Sequence, residues 1–385
     1  MRIFVLGAGL MGKEVTRDLI RNPNVEQVVV GDLDISRAEQ VCMQLQDNRL
    51  QAVYMDTADE SNFINFIKDF DVVINATVYT LNKAVAKMAI QAGVHGVDLG
   101  GNVNDLAKEI LALDQEAKQN GTTYITELGV APGLTNILVG HGAKTFDELQ
   151  SIHLRVGGIP KEPEPPLEYN QVYSMDGIIY QYEGKSTIYR NGQQQEIPTL
   201  SEVEDIYFER FGPLEAFHTA GGTSTLPYTF PTIKNLDYKT IRYPGHAKKI
   251  KLLSELHLLR DDYYVELDGQ MIRPRDVLAK VLEPILDLGD KEDVVLVRVI
   301  LEGIVAGETV SREYELLAEF DREHKVTAMA RATAYSISVV AQMIGSGLIH
   351  QKGVFAPEQI VPGDVHIDEM AKRGVHIKEK SLINN

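Results

Sequence analysis

Residues 1–19 read MRIFVLGAGLMGKEVTRDL, and the fold turns on what the three glycines in this stretch do. The run Ile3, Phe4, Val5, Leu6 is apolar without alternation, the pattern of a strand buried on both faces of a parallel sheet. Leu10, Met11, Val15 and Leu19 then recur at helical spacing. Gly7-Ala8-Gly9-Leu10-Met11-Gly12 therefore sits where a strand becomes a helix, the context that a dinucleotide-binding turn requires. In such a turn Gly7 permits the tight bend, Gly9 lets backbone approach a pyrophosphate, and Gly12 lets the helix pack closely on the sheet. An acidic residue is expected about 20 positions further on, and Asp32 closes the strand-like run VVVGD. Its carboxylate would accept hydrogen bonds from adenosine ribose hydroxyls and repel a 2′-phosphate, so NAD is expected over NADP. Arg37, the nearest basic residue, leaves room for dual use. The plainer alternative is a structural turn that binds nothing.

Outward from this turn, residues 1 to about 145 alternate short β-rich runs (EQVVVGD, QAVYMD, DVVINAT, HGVDLGG, TTYITELG) with helical stretches such as SRAEQVCMQL and NKAVAKMAIQAG. That alternation predicts an α/β fold whose first domain is a Rossmann-type, doubly wound parallel sheet. Ligands of such sheets bind at the carboxyl ends of the strands, where Gly7, Asp32, Ala76, Asp98 and Glu127 fall. Asn75 and Ala76 either skirt the cofactor or simply end a strand. After about residue 150 the texture becomes SIHLRVGGIP, a proline-rich KEPEPPLEYN, a hairpin turning at Asn191-Gly192, and two long β-rich runs near 293 to 320. This predicts an α+β domain on an open mixed sheet, serving substrate binding and oligomerisation. The apolar helix TAMARATAYSISVVAQMI is expected to return to the first domain. The expected divisions are 1–133, 134–326 and 327–385.

Composition narrows the function. The 385 residues, 44% hydrophobic, suffice for two or three domains with sizeable cores. A net charge of -17 repels nucleic acid and anionic membranes unless a local basic patch prevails, and only HAKKIKLL approaches one. One cysteine, Cys42, allows neither an internal disulfide nor a cysteine-clustered zinc site. No apolar stretch reaches the roughly 20 residues of a membrane span, and the N-terminus enters a strand without a signal-peptide pattern, so a cytoplasmic protein is expected.

Several further motifs, in order along nearly the whole chain, resemble the saccharopine dehydrogenase family: ITELGVAPGLTN, VGGIP followed by PPLEYNQVYSMDG, YKTIRYPGH, and KGVFAPEQI. Two departures stand out. PLEAFHTAGGTSTLP lacks the arginine carried by saccharopine-forming members, and Ala131 replaces their aspartate before the Pro-Gly. Loss of a cation and a carboxylate argues against saccharopine, whose glutamate moiety adds two carboxylates to the lysine part. The combination is similar to the bacterial L-lysine 6-dehydrogenases. That resemblance implies NAD-dependent hydride removal from Cε, hydrolysis of the resulting imine to 2-aminoadipate 6-semialdehyde with loss of ammonia, and ring closure to Δ1-piperideine-6-carboxylate. It requires no metal. A reductase of a larger amine conjugate, saccharopine or carboxynorspermidine, is the alternative enzyme, and a non-catalytic dinucleotide-binding sensor is the alternative of another class.

For this chemistry Arg242, inside the family signature, is expected to clamp the α-carboxylate, unless it serves an internal ion pair. Tyr243 shares the signature. His246 is the expected proton carrier near neutral pH, or else a helix cap or a satisfied core histidine. Asp98 and Glu127 can receive the ε-ammonium or its proton, or can brace backbone amides. Glu168, Tyr169 and Asn170 follow a rigid Pro-Pro pair and are expected to shape the substrate pocket, with surface exposure as the alternative. Gly221-Gly222-Thr223-Ser224-Thr225 is expected to let backbone approach the substrate, with Thr223 offering a hydroxyl. An open sheet of this kind pairs across two-fold axes, so a homo-oligomer, a dimer or dimer-based hexamer, is expected.

Overall fold

The structure, a computed structural model, describes residues 1–101, 106–171 and 175–383. Two compact units emerge. The first comprises Met1–Thr145, Ser224–Phe230 and Ala330–His376, and the second Phe146–Thr223, Pro231–Met329 and the chain from Ile377 on.

The first unit begins with β1 (Arg2–Leu6), β2 (Gln27–Asp32), β3 (Leu50–Tyr54), β4 (Val72–Asn75), β5 (His95–Asp98) and β6 (Thr123–Ile125). The second holds β7 (Glu148–Pro160), β8 (Lys185–Arg190), β9 (Gln193–Pro198), β10 (Glu204–Phe208), β11 (Phe211–His218) and β12 (Asn235–Arg242). It continues with the hairpin β13 (Val265–Leu267) and β14 (Gln270–Ile272), then β15 (Asp293–Val305) and β16 (Glu308–Glu319). Finally β17 (Gly353–Phe355) returns to the first unit and β18 (Ile377–Ile383) to the second.

The first sheet runs β17-β6-β5-β4-β1-β2-β3, with every pairing parallel. Strand order reverses between β1 and β4, which puts the ligand crevice of a doubly wound sheet at the carboxyl ends of those strands. Gly31 explains a local packing choice. A Cβ there would lie 2.5 Å from the Phe4 ring, so the glycine makes room for an aromatic cluster. Phe4 meets Phe63, Phe66 and Phe70 at centroid separations of 6.0, 5.3 and 5.6 Å. Full burial of one such side chain contributes about 2 to 3 kcal/mol.

The helix Leu134–Ala143 belongs to the first unit, later along the chain than the boundary expected at residue 133. Close packing is the reason: a Cβ on Gly140 would sit 2.2 Å from the carbonyl oxygen of Glu358. The C-terminal helix Ala328–Gly345 also contributes to this unit, where Gln342 donates to Asp18 at 3.2 Å. Arg373 pairs with the same buried carboxylate at 2.6 Å.

The second sheet follows the path β10-β11-β12-β7-β15-β16-β18, with β8 joining β12 and β9. It is mixed, because β12 and β7 are parallel while β7, β15, β16 and β18 run antiparallel. Asn191 and Gly192 both take positive φ (51° and 77°), the two-residue turn that the sequence signals. The end of the chain differs from expectation: Ile377–Ile383 pairs with β16 in the second unit rather than staying with the first. Asp293, at the start of β15, accepts from the amides of Ala328 (2.6 Å) and Met329 (2.9 Å) and so caps the long C-terminal helix from outside it.

Candidate functional site

The glycine turn has the geometry of a dinucleotide cradle. Gly7 takes φ +100°, and a Cβ on it would lie 2.9 Å from Ala76 backbone. A Cβ on Gly12 would lie 1.7 Å from the Gly7 carbonyl oxygen, so the helix start is seated on the turn itself. Gly9 caps the helix Leu10–Leu19 without a side-chain hydrogen bond, and a Cβ there would meet nothing within 4 Å. An open helix N-terminus with its amides presented is the feature that holds a pyrophosphate. Leu10 is exposed and Met11 half-buried at that rim. Asp32 accepts from the amide of Ala8 at 2.7 Å and that of Asp34 at 2.9 Å, which ties the carboxylate to the turn. Arg37 stands opposite Asp34 at 3.7 Å. Asn75 is a brace rather than an open donor: it donates to Asn82 at 2.9 Å and accepts from the Thr77 hydroxyl at 2.6 Å.

Beyond β5 and β6 lies a buried acidic centre. Asp98 Oδ1 accepts from Gly100 N (2.8 Å), Thr126 Oγ1 (3.0 Å), Glu127 N (3.2 Å) and Asn82 Nδ2 (3.2 Å). Through Oδ1, Asp98 braces the main chain of Gly100 and Glu127. The residue it steadies is Glu127, held at φ +65°, a conformation uncommon outside glycine. Glu127 Oε2 accepts from the Ser224 hydroxyl at 2.6 Å. Burial pushes the Glu127 carboxyl up to about 7, against the lowering by Ser224 and with Asp98 and Glu358 adding to the rise. Glu358 itself accepts from Thr229 (2.8 Å) and Asn136 (3.1 Å), and burial raises it too.

Glu358 was missed as a site residue, and Ser224 was expected only within a stretch that brings backbone near the substrate, not as the partner of Glu127. Both lie in motifs quoted above, GGTSTL and APEQI. No local periodicity reveals that a seven-residue segment of the middle of the chain joins the first unit.

In the second unit, Arg242 is 2% exposed and lies with Cζ 4.4 Å from the Tyr169 ring centroid and 6.0 Å from that of Tyr182. Its Nε donates to Tyr182 Oη (3.1 Å) and its Nη1 to the Ile241 carbonyl (2.8 Å). A guanidinium in a dry aromatic setting suits a planar carboxylate. His246 corrects an expectation. It is fully buried, with Nδ1 2.8 Å from the Leu167 carbonyl and Nε2 3.0 Å from Tyr182 Oη, and burial beside the Arg242 charge lowers its pKa to about 3. A ring held neutral with both nitrogens engaged is a satisfied core histidine, not a proton carrier near neutral pH.

Other expected site residues make contacts within the second unit. Tyr243 donates its hydroxyl to the Pro160 carbonyl at 2.9 Å, which pins β12 to the end of β7. Glu168 pairs with Lys249, and Asn170 donates to the Asp287 carbonyl at 3.1 Å. Gly222 serves packing rather than substrate approach, since a Cβ would fall 2.0 Å from the Tyr238 ring. Thr223 is buried in the second unit. Among the described residues no helix is long and apolar enough to cross a membrane, and no three His, Cys, Asp or Glu side chains are grouped to hold a metal ion.

Comparison with known proteins matches the chain in two consecutive parts. Residues 3–125 match the saccharopine dehydrogenase NADP binding domain, and residues 129–375 match the saccharopine dehydrogenase C-terminal domain. The saccharopine dehydrogenase [NADP(+), L-glutamate-forming] of Schizosaccharomyces pombe is 22% identical, over 99% of both chains. Carboxynorspermidine synthase of Vibrio cholerae is 21% identical, over 97% of this chain and 96% of its own. The apo saccharopine dehydrogenase (L-Glu forming) of Saccharomyces cerevisiae superposes with a TM-score of 0.83 at 19% identity, covering 99% of each chain, and so shares the fold. With both halves matched in order, the chain belongs to the saccharopine dehydrogenase family, oxidoreductases built on a nicotinamide-dinucleotide domain.

Proposed function

We propose that the protein is an NAD-dependent L-lysine 6-dehydrogenase that oxidises the ε-amine carbon of free lysine to the semialdehyde with release of ammonia. The observation that carries the reading is Glu127, a buried carboxyl poised near pH 7 at the carboxyl edge of a dinucleotide sheet. A lysine ε-amine is protonated at neutral pH, with an ordinary pKa of about 10.4, and hydride loss from Cε requires it neutral. Glu127 takes that proton. Ser224 holds one of its oxygens, and Asp98 fixes the main chain that presents it. The dinucleotide, when bound, supplies the hydride acceptor; Gly7, Gly9 and Gly12 shape its cradle, with Asp32 on the adenosine ribose. The Asp32 carboxylate favours NAD, although the family domain is described as NADP-binding. Arg242 takes the α-carboxylate.

Free lysine is favoured over saccharopine by charge matching. Among the described residues of the second unit, Arg155 pairs with Glu204 and Asp237, Lys239 with Glu204, and Arg298 with Glu315. Two further substrate carboxylates would need partners of their own. A second reading, oxidation of a larger conjugate such as saccharopine or carboxynorspermidine, is favoured by the printed activities of the full-length relatives. The test is appearance of reduced nicotinamide on mixing the protein with NAD or NADP and each of L-lysine, saccharopine and carboxynorspermidine. Turnover of L-lysine with NAD supports the proposal, and turnover of a conjugate alone replaces it with the second reading.

A further inference from the structure

The aromatic setting of Arg242 contains a hydrogen-bond chain whose directions follow once the His246 ring is neutral. The Leu167 carbonyl can only accept, so His246 Nδ1, 2.8 Å away, carries the hydrogen. In the neutral ring Nε2 then offers a lone pair, and Tyr182 Oη at 3.0 Å donates to it. That leaves the Tyr182 oxygen as acceptor for Arg242 Nε at 3.1 Å. An imidazolium would reverse the middle link and place a second positive charge beside the guanidinium. The ring is also held edge and face, against Tyr169 (5.5 Å), Tyr182 (5.6 Å) and stacked on Phe217 (6.3 Å). The Tyr169 hydroxyl is a further pointer: it is buried and has no hydrogen-bond partner among the described residues, while its ring lies under Arg242.

We infer that His246 and Tyr182 are positioning residues, a relay anchored on the Leu167 carbonyl that sets the plane of the Arg242 guanidinium for a substrate carboxylate, and that the Tyr169 hydroxyl is a second donor to that carboxylate. The inference rests on the reading of Arg242 as the clamp. It gives the buried histidine a task without proton exchange. The relay also accounts for a tyrosine and a histidine spaced 64 residues apart meeting in one apolar core.

The test is steady-state turnover of L-lysine and of lysinamide, which lacks the carboxylate, by the full-length protein and the variants Tyr182→Phe, His246→Phe, His246→Gln and Tyr169→Phe. Tyr182→Phe and His246→Phe keep the aromatic volume and are expected to raise KM for lysine about tenfold with kcat within about twofold, the signature of lost ground-state binding. The preference for lysine over lysinamide falls by the same factor. His246→Gln, whose amide can donate to Leu167 and accept from Tyr182, restores most of it. Tyr169→Phe also lowers that preference. Unchanged preference in Tyr182→Phe and His246→Phe overturns the relay. A collapse of kcat shared equally by His246→Gln and His246→Phe overturns it in favour of proton transfer. Should no amine be turned over, the functional proposal fails separately, and the nitrogen resonances of the His246 ring decide the relay: a neutral Nδ1–H tautomer sustains it, and the Nε2–H tautomer or an imidazolium refutes it.

Discussion

Replacing Glu127 with Gln removes one ionisation while keeping an oxygen for Ser224, and its effect on stability can be worked from the structure. The unfolded carboxyl ionises near its ordinary 4.5 and the folded one near 7. Because the folded pKa is raised, the folded state holds more protons between those values, so stability is highest below 4.5 and declines as pH rises through 7. The full decline is about 3 kcal/mol, at 1.36 kcal/mol per pKa unit. Between about pH 5.5 and about pH 8.5 the wild type therefore loses about 2 kcal/mol that Glu127→Gln retains. Urea unfolding of both proteins at the two pH values measures it, and comparing pH values cancels the fixed effect of the amide. The same group shapes the rate. With Glu127 required ionised to take the proton of a bound ε-ammonium, log kcat/KM climbs with a slope of about 1 below pH 7 and levels off from there towards pH 10. Parallel stability curves for the two proteins would refute the reasoning, because they would mean that Glu127 ionises alike folded and unfolded.

Four further outcomes follow from the first unit and from the cap of the C-terminal helix. Gly9→Ala is expected to fold normally and bind dinucleotide at least tenfold more weakly. Gly12→Ala loses about 3 kcal/mol or more of stability, since its methyl would meet the Gly7 carbonyl; thermal unfolding and dinucleotide titration separate the two. Asp32→Asn raises the ratio of kcat/KM with NADP to that with NAD by about tenfold or more, because a carboxylate no longer faces the 2′-phosphate. Asp293→Ala leaves the buried amides of Ala328 and Met329 without that acceptor and lowers unfolding stability by about 2 kcal/mol.

How much was legible in the sequence depended on how local each cause was. The glycine turn, Asp32 and the parallel sheet rest on contiguous patterns, and the hairpin at Asn191-Gly192 on the φ those two residues tolerate. Glu127 was legible as a strand-end carboxylate, but its partner was not, because Ser224 lies 97 residues away. Its proton affinity depends on burial and on the nearby Asp98 and Glu358. His246 was misread as a proton carrier, yet a signal was present: His246, Ala247 and Ile250 form the buried face of their helix, opposite Lys248, Lys249 and Lys251. Tyr243 looked like a substrate contact because it adjoins Arg242; its hydroxyl instead meets a carbonyl 83 residues earlier. Gly222 was read as an opening for substrate when the space it leaves is filled by Tyr238.

The measurement that tests the central claim most directly is turnover of L-lysine carrying heavy nitrogen at the ε position, with NAD, followed by isotope analysis of the ammonia released. The account predicts labelled ammonia equal in amount to the reduced nicotinamide formed. Unlabelled ammonia would place oxidation at the α-carbon, and reduced nicotinamide from saccharopine with none from lysine would put the conjugated amine in its place.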